Sequence, residues 1–296
     1  MSPRERVHRA IRAVLSLYPL RLGAALVNRG LDRFFESPDA QWLLAPGRGA
    51  WPTMVLNVST NLQRKFFYFP RTYGRFYGRN NFARFVDATL RPGDTFVDIG
   101  SNVGFFALRA ARIVGPRGRV LAFEPEPDIC EALRRSARAN GFEHLRDFQL
   151  ALSDRDAQLD FYRAKDGTAS SLVPEVPGRE RRYERTLTTR VTTLDRLVDE
   201  GALELGRVSL VKVDVEGEEA RTVGGMLRSL VAAGHPPVWC EVRGPHGSTR
   251  APNTYPAVRD LLATIGYRPL AWADGQRRPV VDADVLGRAD VLFERA

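Results

Sequence analysis

The sequence predicts a doubly wound α/β fold with a mainly parallel, seven-stranded sheet and an N-terminal helical and aromatic extension. Two observations lead to this prediction. From residue 81 onward, short apolar segments alternate with segments of helical periodicity, which is the order expected for a parallel sheet covered on both faces. The last two apolar segments are joined without a helix, which favours an antiparallel hairpin at the edge of the sheet.

Each predicted element rests on a local pattern. A turn at residues 91–94 precedes the first strand, Gly115 and Pro116 end the second helix, and Gly141 ends the third. Residues 155–190 form a longer polar interval without a predicted strand. The predicted strands are residues 95–99, 119–123, 148–152, 208–215, 237–242, 267–272 and 291–294. The predicted helices are residues 82–90, 105–114, 129–137, 218–230 and 255–265.

The chain is predicted to divide into an extension at residues 1–80 and a main domain at residues 81–296. Residues 4–18 repeat apolar side chains at helical spacing with arginines on another face, and Pro19 ends this helix. Such a basic amphipathic helix either packs on its own protein or lies on an anionic membrane surface, so peripheral membrane contact is one expectation. A secretory signal is the alternative, although Pro19 interrupts its apolar part. The aromatic-rich residues 51–78 are predicted to form short strands or an irregular cover over the main domain and not a second domain.

Composition limits the classes of function. The chain has 296 residues, of which 44% are apolar, and a net charge of +9, and no uncharged apolar run is long enough to span a membrane. The positively charged residues are nearly all arginines, and their excess over acids is greatest near the N-terminus, which agrees either with a general bias toward arginine or with phosphate binding. Cys130 and Cys240 have no neighbours at metal-ligand spacing, so free thiols and a cytoplasmic location are expected.

The segment from Val97 to Gly104 carries the sharpest local signal. An apolar strand runs into Asp98, and Gly100 and Gly104 follow before an apolar helix, which places a glycine turn and free N–H donors at the carboxyl end of a strand. A dinucleotide-binding turn carries G-x-G-x-x-G instead. Two glycines four apart, after an acid, suit a ligand with an amino-acid tail and no pyrophosphate. A turn without any ligand is the alternative.

Glu124 ends the second predicted strand, where an acid accepts both hydroxyl protons of an adenosine ribose. This acid indicates an adenosine-containing ligand, and the glycine pattern favours S-adenosylmethionine over a nicotinamide dinucleotide. Ser153 and Asp154 follow the third predicted strand and are expected beside the adenine ring, with an ordinary polar turn as the alternative.

A second strong signal lies in residues 210–217, where Lys212, Asp214 and Glu216 alternate along a strand and therefore project to one face. Central parallel strands are normally apolar on both faces, and burying unpaired charges costs roughly several kcal/mol per ion. The charges therefore indicate either a functional site or a structural network of ion pairs. Glu241 adds an acid on the following strand. A divalent ion held by the three acids is conceivable, but Lys212 on the same face opposes it, so no metal is expected.

These motifs together resemble the FkbM-type methyltransferases. The resemblance covers about residues 90–245, and the run from Lys212 to Glu219 is its most specific part. The matching segments are residues 92–104, 123–125, 151–154, 191–195, 211–219 and Glu241. The resemblance implies a Rossmann-like methyltransferase fold, S-adenosylmethionine as cofactor, and O-methylation, often of sugars or natural-product scaffolds. By position it implies cofactor contacts for Asp98, Gly100, Ser101, Asn102, Gly104 and Glu124.

Methyl transfer to a hydroxyl requires alignment of the acceptor and benefits from a general base. Asp214, held by Lys212, is the first candidate for the base, and Glu216, Glu241 and His246 are the alternatives. The expected acceptor is a small molecule, a sugar or a lipid-linked compound and not a nucleic acid. A nucleic-acid methyltransferase is the rival enzyme, prompted by the positive charge, and a non-catalytic binding domain that kept the fold is the rival outside catalysis.

Overall fold

The computed structural model describes most of the chain, including all of the main sheet. The described residues are 3–15, 42–47, 51–70, 81–164, 170, 172, 183–243, 253–273, 275–285 and 288–296. His246 and the end of the helix predicted at residues 4–18 lie outside these residues. No helix among the described residues is long and apolar enough to cross a membrane.

A mixed sheet of eight strands forms the centre of the molecule. Its strands are β3 (Thr95–Ile99), β4 (Arg119–Phe123), β5 (Leu145–Phe148), β9 (Leu210–Val213), β10 (Val238–Arg243), β11 (Tyr267–Ala273), β12 (Gln276–Pro279) and β13 (Arg288–Arg295). They lie in the order β12-β11-β13-β10-β9-β3-β4-β5. The five strands from β10 to β5 are parallel, and β13 runs antiparallel to both β10 and β11. The doubly wound, mainly parallel sheet is thus confirmed, with one strand more than the seven predicted.

Helices cover both faces of this sheet, and their ends follow from local chemistry. α5 has Pro127 in its first turn and ends at Gly141, whose left-handed backbone (φ 67°) lets its N–H reach the last carbonyls of the helix. The helices are α1 (Pro3–Leu15), α2 (Asn61–Tyr68), α3 (Asn81–Thr89), α4 (Phe105–Val114), α5 (Pro127–Asn140), α6 (Leu194–Asp199), α7 (Glu219–Gly224), α8 (Leu227–Ala232) and α9 (Tyr255–Ala263). A short 3₁₀ helix lies at Asp282–Val285.

The core has two parts because neighbouring residues of a strand face opposite sides of the sheet. Phe96 packs on one side with α3, α4 and α5, and Val97 packs on the other with α7, α8 and α9. All five residues of β3 are buried. The central strand is therefore fixed from both faces, which also fixes the loop that leaves its carboxyl end.

Three predictions about the elements are corrected. The strand predicted at residues 148–152 divides, so that β5 belongs to the main sheet while β6 (Ala151–Leu152) joins a separate three-stranded sheet. The other strands of that sheet are β7 (Ala157–Ala164) and β8 (Tyr183–Thr192), which lie in the interval where no strand was predicted. The last two predicted strands, β11 and β13, do pair antiparallel as predicted, but they do not form the edge, because β12 lies outside β11.

The helix predicted at residues 218–230 is also wrong in length, because it breaks into α7 and α8 around Gly225. A Cβ on Gly225 would lie 1.9 Å from the carbonyl oxygen of Ser153, so only glycine allows this approach. The Gly225 carbonyl accepts the N–H of Asp195 at 3.0 Å. The break therefore holds the junction of α7 and α8 against the residue after β6 and the start of α6.

The N-terminal segments pack on the side of the core that contains Phe96. A hairpin of β1 (Trp42–Ala45) and β2 (Met54–Asn57) docks on α5, where Val55 N–H donates to Ser136 Oγ at 2.8 Å. α1 is anchored to α2 by a hydrogen bond between His8 and the Tyr68 hydroxyl and by Arg12, whose guanidinium donates to the Phe67 carbonyl. These contacts make the described segments of the extension part of the same core as β3.

Candidate active site

A pocket lies at the carboxyl ends of β3, β4 and β9, the edge at which ligands bind in doubly wound sheets. Three of the predicted cofactor residues line it, namely Gly100, Asn102 and Glu124. Asp98 and Ser101 are buried behind the lining, and Gly104 begins α4. The structure therefore brings these predicted residues close together, but only some of them line the pocket.

The glycine corner is shaped by backbone contacts. Gly100 has φ 77°, and a Cβ there would lie 1.9 Å from the carbonyl oxygen of Asp214, so the loops after β3 and β9 touch only because residue 100 is glycine. The N–H groups of Gly100 and Ser101 both donate to the Phe123 carbonyl at 3.0 Å. Asn102 also has a left-handed backbone, with φ 49°. A residue other than glycine in this region stores strain, which is typical of a site under functional constraint.

Glu124 is 5% exposed and holds the loop that follows it. Its two carboxylate oxygens accept the N–H of Asn102 at 2.9 Å and the N–H of Glu126 at 3.0 Å. Burial, together with the charge of Glu126, raises the pKa of Glu124 to about 8. The carboxylate is fixed in position and lines the pocket, as a group that accepts ribose hydroxyls must be.

Lys212 is the centre of a buried charge cluster. Its Nζ lies 3.1 Å from Asp214 Oδ2 and 3.5 Å from Asp98 Oδ1. Burial by itself lowers the pKa of Lys212, but the charges of Asp214 and Asp98 outweigh burial and hold this pKa above its usual value. Burial raises the pKa of Asp98, and the Lys212 charge acts against that effect. Lys212 therefore stays a cation that orients Asp214, whose side chain is 30% exposed and lines the pocket.

The remaining predicted acids lie beside Asp214. One carboxylate oxygen each from Asp214, Glu216 and Glu241 fall within 4.8 Å of one another. Glu216 has a left-handed backbone (φ 54°) and accepts a hydrogen bond from Arg243 at 2.8 Å. Lys212 and Arg243 thus each place a cation against one of the three acids. These acids therefore meet, but not by alternation along a strand as predicted, because β9 ends at Val213 and both Asp214 and Glu216 lie in the loop after it.

The residues expected beside the adenine are arranged differently from the prediction. Ser153 is buried, and its hydroxyl lies 3.4 Å from a carboxylate oxygen of Asp154 and 3.4 Å from one of Glu218. Asp154 is exposed, whereas Glu218 lines the pocket. Sequence reasoning missed Glu218 because its proximity to Ser153 spans 65 residues of chain.

The small sheet adds a wall that the sequence did not indicate. Phe161 of β7 lines the pocket together with Leu150 and Leu152. Arg163, also on β7, pairs with the pocket residue Glu126 at 2.9 Å. The alternation of apolar and polar residues in 157–162 was the available signal for this strand.

The pocket fits S-adenosylmethionine by the chemistry of its groups. Glu124 offers a carboxylate for ribose hydroxyls, and Phe123, Leu152 and Phe161 offer an apolar wall for a flat base. The buried carboxylate of Asp98 next to the glycine corner supplies negative charge for a cationic ligand. The fold and the chemistry of the pocket are those of the class of S-adenosylmethionine-dependent methyltransferase domains.

Comparison with known proteins gives the family. A family model described as the methyltransferase FkbM domain matches residues 98–269, and the chain belongs to this family. Among curated relatives, the chain is 26% identical over 158 residues to the 2-O-methyltransferase NoeI of Sinorhizobium fredii, covering 49% of this chain and 62% of that protein. It is 30% identical over 155 residues to the hexuronic acid methyltransferase AglP of Haloferax volcanii, covering 52% of this chain and 58% of that protein.

The chain spans about three fifths of the length of these curated relatives. Among solved structures, it is similar to the methyltransferase FkbM of Methylobacillus flagellatus, with 14% identity and a TM-score of 0.42, covering 71% of this chain and 50% of that one.

Proposed function

We propose that this protein transfers the methyl group of S-adenosylmethionine to a hydroxyl group of a sugar, a glycolipid or a natural-product scaffold. The observation that carries the proposal is the Asp214 carboxylate, which lines the cofactor pocket, is partly open to solvent, and is held by the buried Lys212 at 3.1 Å. A carboxylate fixed at the edge of the pocket is suited to accept the proton of a hydroxyl acceptor.

The chain's own residues account for the remaining requirements of the reaction. Bound S-adenosylmethionine supplies an electrophilic methyl group, so the protein has to position the acceptor and remove a proton. Asp214 takes the proton from the acceptor hydroxyl. Lys212 fixes the direction of the Asp214 carboxylate, since its buried ammonium group contacts both Asp214 and Asp98. Glu216, oriented by Arg243, and Glu241 accept hydrogen bonds from further hydroxyls of the acceptor.

The class of acceptor follows from the same acids. Three neighbouring carboxylates accept several hydroxyl donors at once, as a sugar or polyol presents them, and they repel the phosphates of a nucleic acid. NoeI is named a 2-O-methyltransferase, AglP acts on a hexuronic acid, and a third relative, FkbM of Streptomyces tacrolimicus, is named for 31-O-demethyl-FK506. These names support hydroxyl acceptors for the present chain.

A lipid-linked acceptor would agree with contact between α1 and a membrane surface, which we include in the proposal. Ile11 and Leu15 of α1 pack on the protein, but Val7 and Val14 are 52% and 73% exposed. Arg6 is exposed beside them. An outer face with apolar and basic residues suits the boundary of an anionic bilayer.

Comparative mass spectrometry of sugars, lipids and small molecules tests the function. Extracts from cells that lack the chain are compared with extracts from cells that carry the wild type or Asp214→Asn. We expect a species heavier by one methylene unit with the wild type, and only its unmethylated form in the other two. Identical extracts in all three, or methylation confined to nucleic acid, would contradict the proposal.

A further inference from the structure

Glu218 is a pocket acid whose position differs from that of the other acids around it. Four other acids line the pocket, and each has a short polar contact. Asp214 pairs with Lys212 at 3.1 Å, Glu216 with Arg243 at 2.8 Å, and Glu126 with Arg163 at 2.9 Å. The fourth acid, Glu124, accepts hydrogen bonds from two backbone N–H groups.

The described contacts of the Glu218 carboxylate are long. Its Oε2 lies 3.4 Å from Ser153 Oγ, and its Oε1 lies 3.7 Å from Arg221 Nη1, whose side chain is half exposed. The Glu218 residue itself is only 8% exposed and lines the pocket. A buried carboxylate with long contacts retains the capacity to accept a strong hydrogen bond from a ligand.

The surroundings of Glu218 identify the part of the ligand that it meets. Ser153 follows Leu152 directly, and Leu152 is part of the apolar wall. The Leu152 carbonyl accepts a hydrogen bond from Thr222 at 2.8 Å, which fixes the start of the helix after Glu218 against this wall. A flat base against an apolar wall, with a carboxylate at its edge, is the arrangement that recognises an exocyclic amino group.

We propose that Glu218, positioned by Ser153, accepts a hydrogen bond from the 6-amino group of the cofactor's adenine and thereby selects an adenosyl cofactor over its 6-oxo counterpart. Asp154, which the sequence predicted for the adenine, is exposed and does not line the pocket. A 6-oxo group presents an acceptor to the Glu218 carboxylate, and two acceptors facing each other in a buried site repel.

Direct binding tests this role without any acceptor or turnover. S-adenosylhomocysteine and its deaminated analogue, S-inosylhomocysteine, are titrated into the full chain by calorimetry. We expect the wild type to prefer the adenosyl compound by about tenfold or more, the scale of one unsatisfied buried group. Glu218→Gln should reduce this preference to about threefold or less, because an amide offers both an acceptor and a donor. Glu218→Ala should bind the two compounds with similar affinity, weaker than that of the wild type for the adenosyl compound.

Asp154→Asn is the matched control and should keep the wild-type preference, and thermal melting checks that each variant is folded. An unchanged preference in a folded Glu218→Gln would overturn the proposal. So would a loss of preference in Asp154→Asn alone, which would return the adenine contact to the residue predicted from the sequence. If the wild type bound neither compound, the assignment of Glu218 would also fail.

Discussion

The ammonium group of Lys212 lies 3.1 Å from the carboxylate of Asp214, two residues further along the chain. The contact places a buried cation behind a carboxylate that is 30% exposed in the pocket. A second acid, Asp98, lies 3.5 Å from the same ammonium group and shares its charge. Asp214 could act as the base or only as the ionic partner of Lys212. A variant without the Asp214 charge can distinguish these two roles, because Lys212 keeps Asp98 as an ionic partner.

Asp214→Asn is expected to fold, to bind S-adenosylhomocysteine normally, and to lower turnover by about a hundredfold or more, the usual effect of losing a positioned base. Single-turnover rates with an identified acceptor, combined with thermal melting, measure both quantities. Asp160→Asn, which changes an exposed carboxylate on β7, is the control. A loss of about 3–5 kcal/mol in stability with near-normal activity per folded molecule would instead mean that Asp214 serves only to neutralise Lys212.

Gly225→Ala is expected to destabilise the fold by about 1–3 kcal/mol, because the new Cβ would collide with the Ser153 carbonyl. The neighbouring Gly224 provides a matched control. A Cβ on Gly224 has only Leu261 Cδ1 nearby, at 4.0 Å, so Gly224→Ala should leave stability unchanged or raise it by about 0.5–1 kcal/mol. Urea unfolding of both variants compares them directly. Equal stability of the two would show that the approach of Gly225 to Ser153 does not restrict residue 225.

The parts of the fold that the sequence predicted are those fixed by local pattern. The buried strands around Asp98 and Lys212 are short apolar runs, and Gly141 ends α5 as expected. β12 was missed because its four residues are exposed and include two arginines, so no apolar pattern marks it. The break at Gly225 was missed because the contact that requires it comes from Ser153, far away in the sequence.

In the candidate site, as in the fold, the sequence predicted the residues that local pattern places and missed those that distant contacts place. Glu124 and Asp214 follow apolar strands directly, and parallel strands bring such residues to one edge of the sheet. Glu218 and Phe161 depend on the small sheet and on the loop after β9, whose positions are set by tertiary contacts. A local pattern could not place Glu218 beside Ser153, because the two residues are 65 positions apart in the chain.

The membrane proposal predicts that the outer face of α1 controls vesicle binding. A double variant, Val7→Asp with Val14→Asp, should lower co-sedimentation with anionic vesicles. It replaces exposed apolar side chains with negative charges, which the vesicle surface repels. The inner contacts of α1 through His8 and Arg12 are unchanged by these substitutions. Val281→Asp alters a valine that is 54% exposed elsewhere and is the control. Equal sedimentation of all three proteins, or none by the wild type, would refute membrane contact.

Methyl transfer is predicted to proceed without a divalent ion, although three carboxylates lie within reach of one another. Lys212 and Arg243 already place positive charge against Asp214 and Glu216, and a dication would be repelled by both. Activity should therefore be unchanged after treatment with EDTA and after addition of magnesium or manganese. A loss of activity with EDTA that manganese restores would show that the three carboxylates bind a metal ion.

The raised pKa of Glu124 gives cofactor binding a dependence on pH. Its value of about 8 lies above the ordinary value of 4.5, so the folded protein binds this proton more tightly than the unfolded chain does. The free energy of unfolding contributed by Glu124 therefore falls as pH rises from about 4.5 to about 8. The ionised carboxylate is the form that accepts ribose hydroxyls most strongly. Cofactor affinity should therefore rise with pH through this range, with release of a proton on binding.

Calorimetric titration of S-adenosylhomocysteine at about pH 6.5 and about pH 8.5 tests most directly whether this pocket holds the cofactor. The wild type should bind about tenfold more tightly at the higher pH, since more of the Glu124 carboxyl is ionised there. Glu124→Gln should bind more weakly and with little pH dependence, while Glu131→Gln, at an exposed position on α5, should behave as the wild type does. Wild-type protein that does not bind, or folded Glu124→Gln that keeps the affinity and the pH dependence of the wild type, would contradict the account.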